Sequence, residues 1–131
     1  MPGMAPSIPL DPAVLRRSFP ELRLLLLHGS RARGEAHANS DWDFAYLADP
    51  GLDELDLRAA LAQALKTDAI DVVDLERAGA VLRYGAARDG IPVLESTPGR
   101  FQGFCLEAIR FWLEIEPILA RSHRDLLERL G

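Results

Sequence analysis

The chain reads as an α/β (α+β) domain, with a small sheet of three to four strands flanked by helices and a long C-terminal helix. Two patterns carry that reading. Short apolar runs bounded by turn residues alternate with segments of helical spacing. From Phe101 onward, apolar residues recur at 101, 104, 108, 111, 112, 115, 118, 119 and 126, a sustained three-to-four spacing.

Taken in order, residues 1–10 are rich in Pro and small residues and predict a loose N-terminal arm. Residues 11–131 then form a single domain that includes a helical element over 100–130. Asp11-Pro12 has the chemistry of an N-cap and first-turn proline, starting a short helix through Phe19. Leu22–Leu27, between Pro20 and Gly29, predicts a buried strand. Residues 30–36 can open a helix, and 37–40 form a loop. Asp41–Leu47 is strand-like and closes at Asp49-Pro50-Gly51. Leu52–Leu65 carries leucines at helical spacing, and Ala69–Leu75 (AIDVVDL) is rich in β-branched residues and predicts a third strand. A helix over 77–89 stops near Gly90, before a short edge strand at Ile91–Leu94 that contains Pro92. Pro117 should kink or break the long C-terminal helix, unless it runs on as one.

Composition bounds the function. Hydrophobic residues make up 48% and charged residues 27%, the balance of a soluble globular protein. The longest apolar run, Leu24 to Leu27, falls far short of the roughly 20 residues that cross a bilayer, so no membrane association is expected. The N-terminus does not have the basic start and apolar stretch of a signal peptide. With Cys105 as the lone cysteine, neither an internal disulfide nor a cysteine zinc cage is open to the chain. A cytoplasmic location fits these features. The net charge of −5 argues against general nucleic-acid binding. Among the basic residues Lys66 is the sole lysine and the rest are Arg.

The chemistry concentrates where the first strand ends. Gly29-Ser30 follows an apolar strand and opens a helix-compatible segment, so backbone N–H groups there can face a phosphate. Glycine permits close approach, and the serine hydroxyl adds a donor. Asp41 and Asp43, two apart on a strand, project from one face and repel each other unless a cation stands between them. Hard magnesium prefers such oxygen ligands together with substrate phosphates. Within AIDVVDL, Asp71 lies on one face and Asp74 on the other. If the two strands are neighbours, Asp71 joins Asp41 and Asp43, and three carboxylates can hold two metal ions for phosphoryl-type transfer.

Gly29-Ser30, ten intervening residues, Asp41-x-Asp43 and a later third Asp resemble the signature of the polymerase-β-like nucleotidyltransferase superfamily. The stretch GSRARGEAHANSDWD is similar to its minimal members, the MNT proteins, which pair with HEPN-domain toxins in prokaryotic toxin–antitoxin modules. IDVVDLERA, LRYGAARDGIPVLE and FCLEAIRFWLEIEPIL are also similar to MNT segments, so the resemblance spans most of residues 22–120. It implies the nucleotidyltransferase fold, a small mixed sheet with flanking helices. It further implies an antitoxin that transfers AMP from ATP to a tyrosine of a HEPN ribonuclease, using two Mg²⁺ ions. Carried over, Gly29 and Ser30 bind nucleotide phosphates, Asp41, Asp43 and Asp71 hold metal, and Asp71 is a candidate general base. The chain departs from the pattern at His28, where an aromatic residue often stands, and at Trp42, where an aliphatic one is commoner.

Bland alternatives stand beside these readings. Arg33, and less so Arg31, can reach a triphosphate from the Gly-Ser turn, or both are solvated helix charges. His28 can assist proton transfer or be structural. His37 and His123 have no companions at ligand spacing and read as surface residues, and Cys105 reads as a small core residue. Phe101, Phe111 and Trp112 serve the core, or a helical partner protein. Two rival functions remain: a non-catalytic antitoxin that acts by binding, and a small-molecule (aminoglycoside-type) nucleotidyltransferase.

Overall fold

The structure, a computed structural model, describes residues 8–130. In chain order the elements are α1 (Pro12–Ser18), β1 (Leu22–His28), α2 (Gly29–Arg33), β2 (Trp42–Ala48), α3 (Glu54–Leu65), β3 (Ile70–Asp74), α4 (Ala80–Asp89), β4 (Ile91–Glu95) and α5 (Arg100–Leu130). The expected arm over 1–10 falls mostly outside the described residues. Of its last three residues, Ile8 and Leu10 pack against the core.

The four strands form one mixed sheet in the order β3-β2-β1-β4. β1 is antiparallel to both β2 and β4, and β2 is parallel to β3. The parallel pair follows from the chain between them, because joining parallel neighbours takes a crossover, here α3. Leu24 through Leu27 have no exposed surface, since β1 is interior and covered on both faces.

Strand alternation sorts residues between two cores. Leu25, Leu27, Phe44, Tyr46, Ile70 and Val72 meet Leu15 and Phe19 near α1 and Leu57 and Leu61 of α3. Leu24, Leu26, Ala45 and Leu75 meet Ala86 of α4 and Phe104 and Ala108 of α5 on the opposite face.

Caps explain the helix boundaries. Asp11 accepts a hydrogen bond from the Ala13 N–H at 3.0 Å, with Pro12 in the first turn, as its sequence predicts. Asp53 accepts from the Leu55 and Asp56 N–H groups, so α3 starts at Glu54 instead of Leu52. Leu52 instead packs on the core ahead of the helix.

α5 runs unbroken for 31 residues through Pro117, the long C-terminal helix of the two arrangements its sequence allowed. The proline leaves the Leu113 carbonyl without its helical donor. Leu113 is 67% exposed and Pro117 is exposed, so solvent satisfies that carbonyl. No helix among the described residues is long and apolar enough to cross a membrane.

Candidate active site

The site lies at one end of the sheet, where β1 finishes and β2 and β3 begin. Register assembles it: His28 of β1 pairs with Asp43 of β2, and Asp43 pairs with Asp71 of β3. Directly paired residues share a face, so these three side chains form a row across three strands. It is the face that α4 and α5 cover further along. Asp74 pairs with Tyr46, whose ring belongs to the other core, so Asp74 points away from the row.

Gly29 sits against this row with φ +73°, in the region that favours glycine. A Cβ built there would overlap Oδ2 of Asp43, so any side chain at 29 would displace that carboxylate. The first turn of α2 has no side-chain cap, leaving N–H groups at Gly29-Ser30 for a ligand. Gly34, at φ +74°, closes the helix after one turn and lets the chain swing back toward Asp41.

Burial pushes the Asp43 carboxyl above its ordinary value of 3.8. The nearby His28 and Arg33 pull it down, whereas the charges of Asp71 and Asp41 push it up. Asp43 thus feels the charges of both Asp41 and Asp71. As the side chains stand, no group of three acidic, histidine or cysteine residues among the described ones is clustered closely enough to hold a metal. The Asp71 carboxylate is turned toward Arg58, with Oδ1 3.7 Å from its guanidinium. That pair is half-exposed, and such pairs contribute little, about 0–1 kcal/mol. The donor set fits Mg²⁺ in its chemistry, since it is all carboxylate oxygen.

Arg33 stands near the row, engaged by Glu35 at 3.0 Å and more loosely by Asp89 at 3.9 Å. Arg31 has a different task. Its Nε and Nη2 donate to the Ser40 carbonyl at 3.2 and 2.8 Å, and its guanidinium lies 4.1 Å from the Trp42 ring centroid. Arg31 therefore clasps the loop that delivers Asp41, and Trp42 is the platform for that clasp. His28 is the residue whose part the sequence leaves open. Its Nε2 is buried without a protein partner, and only the strand register reveals that it flanks Asp43.

A family model described as polymerase beta, nucleotidyltransferase matches residues 13–98, ending just before α5. The chain is similar to a protein adenylyltransferase MntA of Aphanizomenon flos-aquae, 33% identical over 133 residues covering 89% of this chain and 88% of that one. A protein adenylyltransferase MntA of Shewanella oneidensis is 44% identical over 72 residues, 53% of this chain and 51% of that one. Among solved structures, a chain of a toxin–antitoxin structure with AMP-PNP matches with a TM-score of 0.74 at 31% identity. The match covers 88% of this chain and 94% of that one. A chain from the tri-AMPylated Shewanella oneidensis HEPN toxin in complex with MNT antitoxin matches with a TM-score of 0.68 at 28% identity, covering 88% and 91%.

Proposed function

The chain belongs to the polymerase beta nucleotidyltransferase family and is a nucleotidyltransferase, and from that premise we propose that it is an antitoxin that transfers AMP from ATP to a tyrosine of a HEPN-domain toxin. The observation that carries this reading is the row His28–Asp43–Asp71 with Gly29 held against Asp43. Similar proteins are named protein adenylyltransferases, and similar structures include a HEPN toxin bearing AMP.

The residues divide the work as follows. Gly29 and Ser30 receive the phosphates on free N–H groups, and Arg33 offers charge beside them. Asp41, Asp43 and Asp71 would hold Mg²⁺, with Asp71 turning from Arg58 toward the row. When bound, two such ions supply charge stabilisation at the α-phosphate and at the departing pyrophosphate. The tyrosine oxygen forms a bond to the α-phosphorus while the bond to the β-phosphate oxygen breaks and pyrophosphate leaves. Asp71 takes the hydroxyl proton. A cytoplasmic setting belongs to this reading.

The exposed apolar side chains of α5 favour a second contribution, neutralisation by binding. Leu113, Ile118, Leu126, Leu127 and Leu130 are each more than half exposed, and exposed apolar side chains gathered on one helix suit contact with a partner. Tandem mass spectrometry of the HEPN protein, after incubation with this chain, ATP and Mg²⁺, tests the acceptor. AMP on a tyrosine supports the proposal, and AMP confined to another residue type overturns the acceptor assignment.

A further inference from the structure

Of the three carboxylates, Asp41 alone lies outside a strand, in the segment between α2 and β2. The sheet register places Asp43 and Asp71, whereas the place of Asp41 depends on what holds its loop. That loop closes on itself. The Ser40 N–H donates to the His37 carbonyl and the His37 N–H to Ser40 Oγ, both at 2.9 Å. On the other side of Asp41, the Trp42 N–H donates to the Ala69 carbonyl at 2.8 Å. Between these ties stands the Ser40 carbonyl, part of the peptide that leads into Asp41, and Arg31 binds it.

The grip uses the shape of a guanidinium. Nε and Nη2 lie on one edge and converge on that single oxygen, at 3.2 and 2.8 Å. The flat face lies over Trp42, 4.1 Å from the ring centroid, where a cation is attracted to the ring. An aliphatic side chain at 42 would offer no such face. Trp42 is itself stacked on the fully buried Phe44, at 6.3 Å between centroids and 6° between planes. An unbroken path therefore runs from the core through Phe44, Trp42 and Arg31 to the peptide that carries Asp41. Trp42 and Phe44 alternate with Asp43 along β2, so this path lies on the face opposite the carboxylate row. Arg31 is also the residue after Gly29-Ser30 in α2, so the clasp joins that turn to the Asp41 segment.

We propose that Arg31 is a positioning residue, which fixes Asp41 for metal by tying the Gly29-Ser30 turn to the Ser40–Asp41 peptide and makes no contact with the nucleotide. The proposal rests on the metal-holding part of the nucleotidyl-transfer reading and adds to it a residue that acts through another.

Arg31→Lys and Arg31→Met test it. Lysine keeps the charge without the fork or the flat face, and methionine keeps only the stem. Mn²⁺ alone, as a probe for Mg²⁺, is titrated by electron paramagnetic resonance, and the binding lost in Asp43→Asn defines the site. Both variants should bind Mn²⁺ there about tenfold more weakly, or worse, as when the support of a metal ligand is removed. ATP affinity at saturating Mg²⁺ and KM for ATP should match the wild type. The Mg²⁺ needed for half-maximal transfer should rise with the loss of Mn²⁺ affinity, and kcat should recover at high Mg²⁺. Unchanged Mn²⁺ affinity in both variants would overturn the proposal. So would ATP binding that methionine weakens and lysine keeps, the behaviour of a direct phosphate ligand. Trp42→Leu removes the platform and leaves the Ser40 bonds, so it should weaken Mn²⁺ binding by a smaller factor. It carries the test if the Arg31 variants do not fold, and unchanged Mn²⁺ affinity there would count against the clasp. Weakened Mn²⁺ binding in the variants, with a wild type that leaves the toxin unmodified, keeps the clasp and brings down the transfer reading. Wild-type protein that binds no Mn²⁺ at the site brings down both.

Discussion

On one face of the sheet, Leu25, Leu27, Phe44, Tyr46, Ile70 and Val72 are covered by α1 and α3. On the other, Leu24, Leu26, Ala45 and Leu75 are covered by α4 and α5, and that cover gives out at His28, Asp43 and Asp71. The same three strands supply both faces, by alternate residues. One face closes completely and carries stability. The other gives up packing at its end to hold charges that repel one another. The lesson is that a shift of one residue along these strands separates packing from chemistry, Phe44 from Asp43 and Val72 from Asp71.

Substitutions on the two faces should therefore fail differently. Phe44 is fully buried, and Phe44→Ala should cost about 3–5 kcal/mol in urea or thermal unfolding. A loss below about 1 kcal/mol would break the claim that this face carries the fold. Gly29→Ala combines a strained positive φ, worth about 1–3 kcal/mol, with displacement of the Asp43 carboxylate. Its transfer rate should collapse while the protein still folds, and normal turnover would remove Gly29 from the site.

Asp43→Asn should make the metal-free protein more stable at neutral pH. The folded pKa of Asp43 is raised, so the wild type has its full share of stability below the ordinary value of 3.8. It loses that share as the pH climbs through the raised value. The gain in melting temperature of the Asn variant should therefore vanish on acidification toward that range. A gain that is constant with pH would contradict a repelled carboxylate. The smallest effect belongs to Asp74→Asn on the closed face. Asp74 Oδ1 accepts from the Glu76 N–H at 3.0 Å, which an amide oxygen can also do. Stability should stay within about 0.5 kcal/mol and transfer should be unchanged. Lost transfer would move the third carboxylate from Asp71 to Asp74.

Much of this was legible in the sequence, because the relevant physics is local. The period of two in AIDVVDL separates Asp71 from Asp74, and Asp11-Pro12 announces its own cap. Leu22–Leu27 is too apolar to be anything but interior. What could not be read depends on pairing between distant segments. That His28 flanks Asp43 requires the order β3-β2-β1 and a register, neither of which a single strand encodes. The clasp of Arg31 on Ser40 and Trp42 is likewise tertiary, so Arg31 looked in sequence like a second phosphate ligand or a solvated charge. Whether the last helix runs on through Pro117 stayed open in sequence, because the penalty for a proline falls when solvent satisfies the freed carbonyl. That exposure is a property of the finished fold.

The central claim is that the Asp41–Asp43–Asp71 end of the sheet transfers AMP to a HEPN toxin. Intact-mass spectrometry of that toxin, incubated with this chain, ATP and Mg²⁺, tests it most directly. The account predicts a mass gain of one or more AMP units, abolished when Asp41→Asn and Asp43→Asn are combined in a protein that still folds and binds the toxin. A toxin left at its original mass by the wild type, while the two proteins still co-purify, would contradict the claim and leave neutralisation by binding. An undiminished gain with the double variant would contradict the site.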